Sequence, residues 1–198
     1  MTTHRILGID PGLNHTGFGV IDVESDKITL VTAGCIHVPA GELAERLAVI
    51  HRGLSDVIAE TSPTVAAAEI VFVNINPRST LLLGQARGAA LACAAVHHLK
   101  VHEFTPSEIK QSVVGTGRAD KAQVQMMMQQ LLKIKDDLQA DAADALACAV
   151  TCAHTLRLAD VVNTGKVQAR TGLLSMKSSR SRRSAWTQLA QHRQEKKS

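Results

Sequence analysis

Four carboxylates stand out by their neighbours. Asp10 closes the apolar run RILGID and is followed by Pro-Gly. Glu69 interrupts the apolar stretch AAAEIVF. Asp141 and Asp144, in DAAD, are three residues apart, which on a helix puts both on one face, and the Ala and Leu around them turn that face inward. A lone buried carboxylate is costly because its charge loses water without compensation. Four that face one point repel each other and need protons or cations to neutralise them. An all-oxygen site selects a hard cation such as Mg²⁺. Two such ions about 3.5–4 Å apart serve in-line displacement at a phosphate, one activating water and the other stabilising the leaving oxygen. Spacing alone leaves a plainer reading open. Asp10 would then be a turn former, Glu69 an edge-strand surface residue, and Asp141 and Asp144 helix-start acids favoured by the dipole.

The chemistry needs a scaffold that brings distant segments together, and the periodicities supply one. RILGID and TGFGVIDV read as strands close enough to form a hairpin, and KITLVTAGCIHV as a third strand. Glycines at 8, 12, 17 and 19 permit tight turns and close backbone approach around Asp10. Residues 42–60 have helical apolar spacing, ended by Ser62-Pro63. TVAAAEIVFV is a further strand, Asn76-Pro77 caps a small-residue helix over 77–98, and VHEF is the last strand. Thr105-Pro-Ser-Glu108 and Asp120-Lys-Ala-Gln123 open two more helices with capping-box logic. A final helix is expected over 140–159. This order predicts an α/β layer with a mixed sheet.

Composition narrows the classes. The chain has 198 residues, 45% of them apolar, with three Phe, one Trp and no Tyr, so its core must be aliphatic. No run of eighteen apolar residues argues for a membrane span, and the first residues do not read as a secretion signal. The four cysteines form no C-x-x-C pair and read as reduced, buried, small apolar residues. The nine histidines show no metal spacing, and Cys148, Cys152 and His154 on one Ala-rich helix read as packing. Met126, Met127 and Met128 read as core and interface filler. No Ser-His or Cys-His pairing suggests a covalent nucleophile. Residues 166–198 hold nine basic side chains and one acid, Glu195, which leaves 13 basic against 17 acidic in the rest. A basic tail on an acidic body suits a polyanion, nucleic acid first, or serves as a solvated segment that aids solubility.

Five motifs in order, GIDPGLNHTGFGVI, AEIVF, LGQARG, IKQSVVGTGRADKAQVQ and QADAADALACA, resemble the RuvC family of crossover junction endodeoxyribonucleases, the Holliday junction resolvases. The likeness covers about residues 5–155. It implies an RNase H-like fold, a five-stranded mixed sheet flanked by helices, in a nuclease domain over 1–160, with 161–198 as a basic, disordered tail. It implies dependence on Mg²⁺ or Mn²⁺, two ions per site, and paired symmetric nicks in four-way junction DNA. By the same resemblance Asp10, Glu69, Asp141 and Asp144 are the catalytic, metal-holding acids. It further implies a cytoplasmic homodimer that works beside the junction-binding and branch-migration proteins RuvA and RuvB. A two-fold dimer suits a junction with two equivalent strands to cut.

Lys110 and Lys121 match family positions linked to DNA binding, and Lys121 sits at a helix start that also favours phosphate. Arg118 is a weaker candidate. Phe72, three residues past Glu69, matches an aromatic thought to stack on an unpaired base, an interaction worth about 1–3 kcal/mol. Arg78 is placed to contact phosphate, although its loop, VNINPRST, departs from the family pattern. Gln85 and Arg87 lie on a helix whose Gly84 and Gly88 allow close approach, toward either a dimer partner or DNA. The basic tail carries Trp186 and departs from the shared region.

Three other functions compete. An actin- or Hsp70-like ATPase also opens on a G-x-D-x-G turn but needs a second domain. An inactive DNA-binding protein of the same fold would not need all four acids. Another RNase H-like nuclease, acting on RNA–DNA hybrids, fits less well with the DAAD helix.

Overall fold

The computed structural model describes residues 3–25, 27–70 and 76–176, with residue 3 and residues 160–176 described by their backbone alone. The chain divides into two units, Met1–Thr155 and Leu156–Ser198, and the sheet and the site belong to the first. Ten elements run β1 (Thr3–Asp10), β2 (His15–Glu24), β3 (Lys27–His37), α1 (Leu43–Thr61), β4 (Val65–Glu69), α2 (Pro77–Val96), β5 (Lys100–Phe104), α3 (Pro106–Val114), α4 (Lys121–Leu132) and α5 (Ala140–Met176).

The sheet order is β3-β2-β1-β4-β5. β1 pairs antiparallel with β2 and β2 with β3, while β1–β4 and β4–β5 are parallel. This is the mixed five-stranded architecture expected of an RNase H-like α/β fold. β1 is central and its side chains alternate between two covered faces. Leu7 and Ile9 pack with Val20, Ile50, Leu54, Ala86, Ala90 and Cys93 beneath α1 and α2. Ile6, Gly8 and Asp10 point to the other face, where α5 lies. A Cβ on Gly8 would overlap the backbone carbonyl of Ala145, so α5 rests directly on the sheet. β4, VAAAE, is buried along its four apolar residues, consistent with a strand covered on both sides.

Local chemistry sets the element ends. Both anticipated capping boxes form, Thr105 with Glu108 and Asp120 with Gln123. Asn76 accepts hydrogen bonds from the Arg78 and Ser79 amides at the start of α2. Arg5 grips Asp22 across β1–β2 with Nε–Oδ1 of 2.7 Å, and its Nη1 donates to the carbonyl of Thr61 at the end of α1.

Four expectations need correction. β4 ends at Glu69, so Glu69 is the last residue of the strand and not interior to it, while Phe72 lies outside the described residues. α5 continues to Met176 instead of stopping near 159, so the backbone of 161–176 is helical where a disordered tail was expected. The rest of the tail, Trp186 included, lies outside the described residues. Cys93, Cys148 and Cys152 are buried, but Cys35 is only partly so. Finally, α2 is long and apolar enough, by length and composition, to cross a bilayer. Of its residues, Ala86, Ala90, Cys93 and Ala94 are buried in the core.

Candidate active site

The strand register lines up the site. Asp10 pairs with Gly17 on β2, and Gly17 with Cys35 on β3. Glu69 lies one residue beyond the Ile9–Ala68 pair, so it stands beside Asp10 on the neighbouring parallel strand. Residues directly opposite each other in a sheet share a face. Glu69, Asp10, Gly17 and Cys35 therefore form one row across four strands, on the face that α5 covers.

The first turn of α5 closes over that row. A Cβ on Gly17 would overlap the backbone carbonyl of Asp141, so only glycine lets the helix start this near Asp10. The turn after Asp10 is fastened by Thr16, fully buried, whose Oγ1 donates to the Gly12 carbonyl at 2.8 Å. Asp141 and Asp144 thus reach the sheet residues through tertiary packing.

The electrostatics record the convergence. The Asp10 carboxyl is pushed up to about 7, by burial first and then by the charges of Asp144, Glu69 and Asp141, with Lys121 acting the opposite way. Glu69 is raised by burial and then by Asp144, against Lys121 and Lys110. Lys121 is held above its usual range, first by the charge of Asp144 and its hydrogen bond, then by Asp10 and Asp141. Its Nζ lies 3.1 Å from Asp144 Oδ2. Beneath the cluster, burial pushes the Cys148 thiol far up, with Glu69, Asp10 and Asp144 adding to the effect. Four coupled carboxylates against two lysines leave an excess of negative charge. The donor set is all oxygen, which suits hard divalent cations.

The candidate DNA contacts divide. Lys121 and Lys110 act on the acids and stand at the site. Arg78 is exposed in the first turn of α2 and Arg118 is exposed before α4. Arg87 makes contacts within the fold. Its Nε donates to the Glu69 carbonyl at 3.1 Å, and its guanidinium pairs with Glu103 on β5. It therefore braces the strand end that carries Glu69, a role that sequence reading missed because both partners are remote in the chain. Gln85 remains exposed. Met128 is core, whereas Met126 is exposed.

A second feature escaped linear spacing. His15, Cys35 and Asp141 bring their ligand-type atoms within 4.8 Å of one another, from β2, β3 and α5. The antiparallel pairing that sets His15 opposite His37 and Gly17 opposite Cys35 brings the strand residues together.

The family model described as crossover junction endodeoxyribonuclease RuvC matches residues 6–152. A protein of that description from Bordetella petrii is 56% identical over 172 residues, covering 86% of this chain and 90% of its own. The structure resembles Thermus thermophilus RuvC with a TM-score of 0.71 and 30% identity, over 80% of this chain and 97% of that one. It also resembles T. thermophilus RuvC in complex with a Holliday junction substrate, with a TM-score of 0.74 and 30% identity over 79% of this chain and 96% of that one.

Proposed function

The chain belongs to the RuvC family of crossover junction endodeoxyribonucleases, and from that premise we propose that it resolves four-way DNA junctions by hydrolysing phosphodiester bonds at the carboxylate cluster. The observation that carries the assignment to this cluster is the coupling of Asp10 to Glu69, Asp141 and Asp144 on one face of the sheet.

In this reading the four carboxylates hold two divalent ions, Mg²⁺ with Mn²⁺ as substitute. Bound there, the ions would supply Lewis acidity and a nucleophilic water at neutral pH. The chain's own groups do the rest. Asp10 and Glu69 are positioned by adjacent strands, and Asp141 and Asp144 by the helix start. Arg87 holds the Glu69 backbone in place. Lys121, its side chain largely exposed, is free to turn from Asp144 to a phosphate, and Lys110 flanks Glu69. Direct attack by water needs no covalent enzyme intermediate and leaves ligatable ends. Arg78, exposed in the first turn of α2, adds a phosphate contact, and Phe72 is assigned by the family resemblance to stack on an unpaired base.

The decisive experiment offers the purified protein a synthetic four-way junction, a linear duplex and an RNA–DNA hybrid, with and without Mg²⁺. Paired symmetric nicks on the junction alone, and only with metal, are expected. Equal cutting of the hybrid would reassign the chain to another RNase H-like activity. Lys121→Ala should weaken junction binding and lower the slope of log K against log salt by about 1, as loss of one phosphate contact requires. An unchanged slope in a binding titration would take Lys121 off the DNA surface.

We further propose a homodimer through the exposed face of α2. A Cβ on Gly84 or Gly88 would meet nothing within 4 Å, and Leu81 and Val96 are 70% and 66% exposed. Gly88→Arg should therefore fold normally, since a side chain has room and glycine is a poor helix former. Sedimentation should show monomer where the parent chain is dimeric, and a variant that stays dimeric would move the interface elsewhere. The dimer would act on DNA in the cytoplasm with RuvA and RuvB as partners.

A further inference from the structure

Beside the carboxylate cluster, on its β3 side, lies a cavity of about 450 Å³ lined by His15, Cys35, His37, Gln139, Ala140 and Asp141. Its donors differ in kind from those of the nuclease site. The ligand-type atoms of His15, Cys35 and Asp141 lie within 4.8 Å of one another. The Cys35 Sγ is 3.8 Å from Asp141 Oδ2, and the His15 and His37 rings are 5.1 Å apart between centroids. Four-coordinate Zn²⁺, with Zn–N and Zn–S of about 2.0–2.3 Å, sets its ligands about 3.3–3.6 Å apart. A small rotation of the exposed His15 imidazole would close the gap among those three, and the neighbouring His37 ring, which also lines the cavity, offers the fourth ligand. Imidazole and thiolate favour a borderline transition-metal cation over Mg²⁺, which prefers oxygen.

We propose that His15, Cys35, His37 and Asp141 form a binding site for Zn²⁺ that draws Asp141 away from the nuclease cluster and so inhibits cleavage. The shared residue couples the two sites: an Asp141 carboxylate turned toward a cation held by Cys35 is withdrawn from the four-acid cluster. The inhibitory half of the proposal rests on the role of Asp141 in the reading above, and the binding half does not. The cavity opens to solvent at the two histidines, both exposed, which gives a cation an entry path.

The full-length, metal-free protein is titrated with Co²⁺ as a spectroscopic stand-in for Zn²⁺. A near-ultraviolet thiolate-to-cobalt charge-transfer band is expected, bleached by added Zn²⁺ and absent in Cys35→Ser. Zinc affinity by calorimetry should fall roughly tenfold or more in Cys35→Ser and in His37→Gln. Two variants on different strands guard against a folding defect in either. In the presence of excess Mg²⁺, Zn²⁺ should suppress junction cleavage by the parent chain and leave Cys35→Ser cutting. Absence of the thiolate band, with equal zinc isotherms in all three proteins, would overturn the site. A band accompanied by equal zinc inhibition of parent and Cys35→Ser would overturn the competition and place inhibition at the four acids. A band from a protein that cuts no junction would retain the site and sink the nuclease reading instead.

Discussion

Asp10→Asn is expected to lose junction cleavage by a factor on the order of 10³ or more, to keep junction binding within a few-fold, and to melt at a higher temperature than the parent protein at pH 8 without metal. The catalytic loss follows from removing a charge that holds the ions, whose electrostatic contribution is several kcal/mol. The stability gain follows from linkage. Asp10 is raised to about 7 in the folded chain from an ordinary value of 3.8, so the unfolded state ionises first as pH rises. Below pH 3.8 the carboxyl is protonated in both states and burial costs no charge. The favourable difference is then lost progressively as pH climbs through 7, and above it the folded protein carries a buried anion among three others. The full penalty at pH 8 is about 4 kcal/mol as an upper bound. Asn is close in shape and carries no such penalty. Thermal melts in chelator at pH 5 and pH 8 check this directly: the gap between variant and parent should open as pH rises. A gap that is constant, or that closes toward pH 8, would mean Asp10 is not the strained anion. Loss of DNA binding in the variant would make it a structural residue.

Gly17→Ala should cost about 10²-fold in cleavage rate through one added methyl group. That methyl would have to displace the Asp141 carbonyl, pushing the first turn of α5 off the sheet. Misplacing reacting groups by about 1 Å is worth that much. The same overpacking should destabilise the fold by about 1–3 kcal/mol. The useful measurement is the ratio. Cleavage by the folded fraction, assayed well below the melting temperature, should still be down about a hundredfold. Activity that recovers fully once the unfolded fraction is removed would show that α5 need not sit so close to the sheet.

Much of this was legible in the chain itself, for local reasons. Strands RILGID and TGFGVIDV declare themselves by apolar runs and glycine-marked turns. The caps at Asn76, Thr105 and Asp120 are side chains satisfying backbone amides a few residues away, so they form as the motif predicts. The DAAD pair shares a face because helical geometry leaves no choice. The family resemblance then named all four acids together.

What the chain did not declare was long-range. Arg87 lies on a helix that could have served a partner or DNA, and only folding revealed its grip on Glu69 and Glu103. His15, Cys35 and Asp141 have no metal-ligand spacing in the chain because each comes from a different element, joined by sheet register. The helical run to Met176 was missed because that stretch lacks amphipathic spacing. The sequence by itself determined the secondary elements, their caps and the identity of the four acids, since these depend on neighbours within a turn or a strand. The tertiary structure alone decided that a missing Cβ at Gly17 seats Asp141 over Asp10, because contact across more than a hundred residues is settled by packing of the sheet against α5, where no local periodicity reaches.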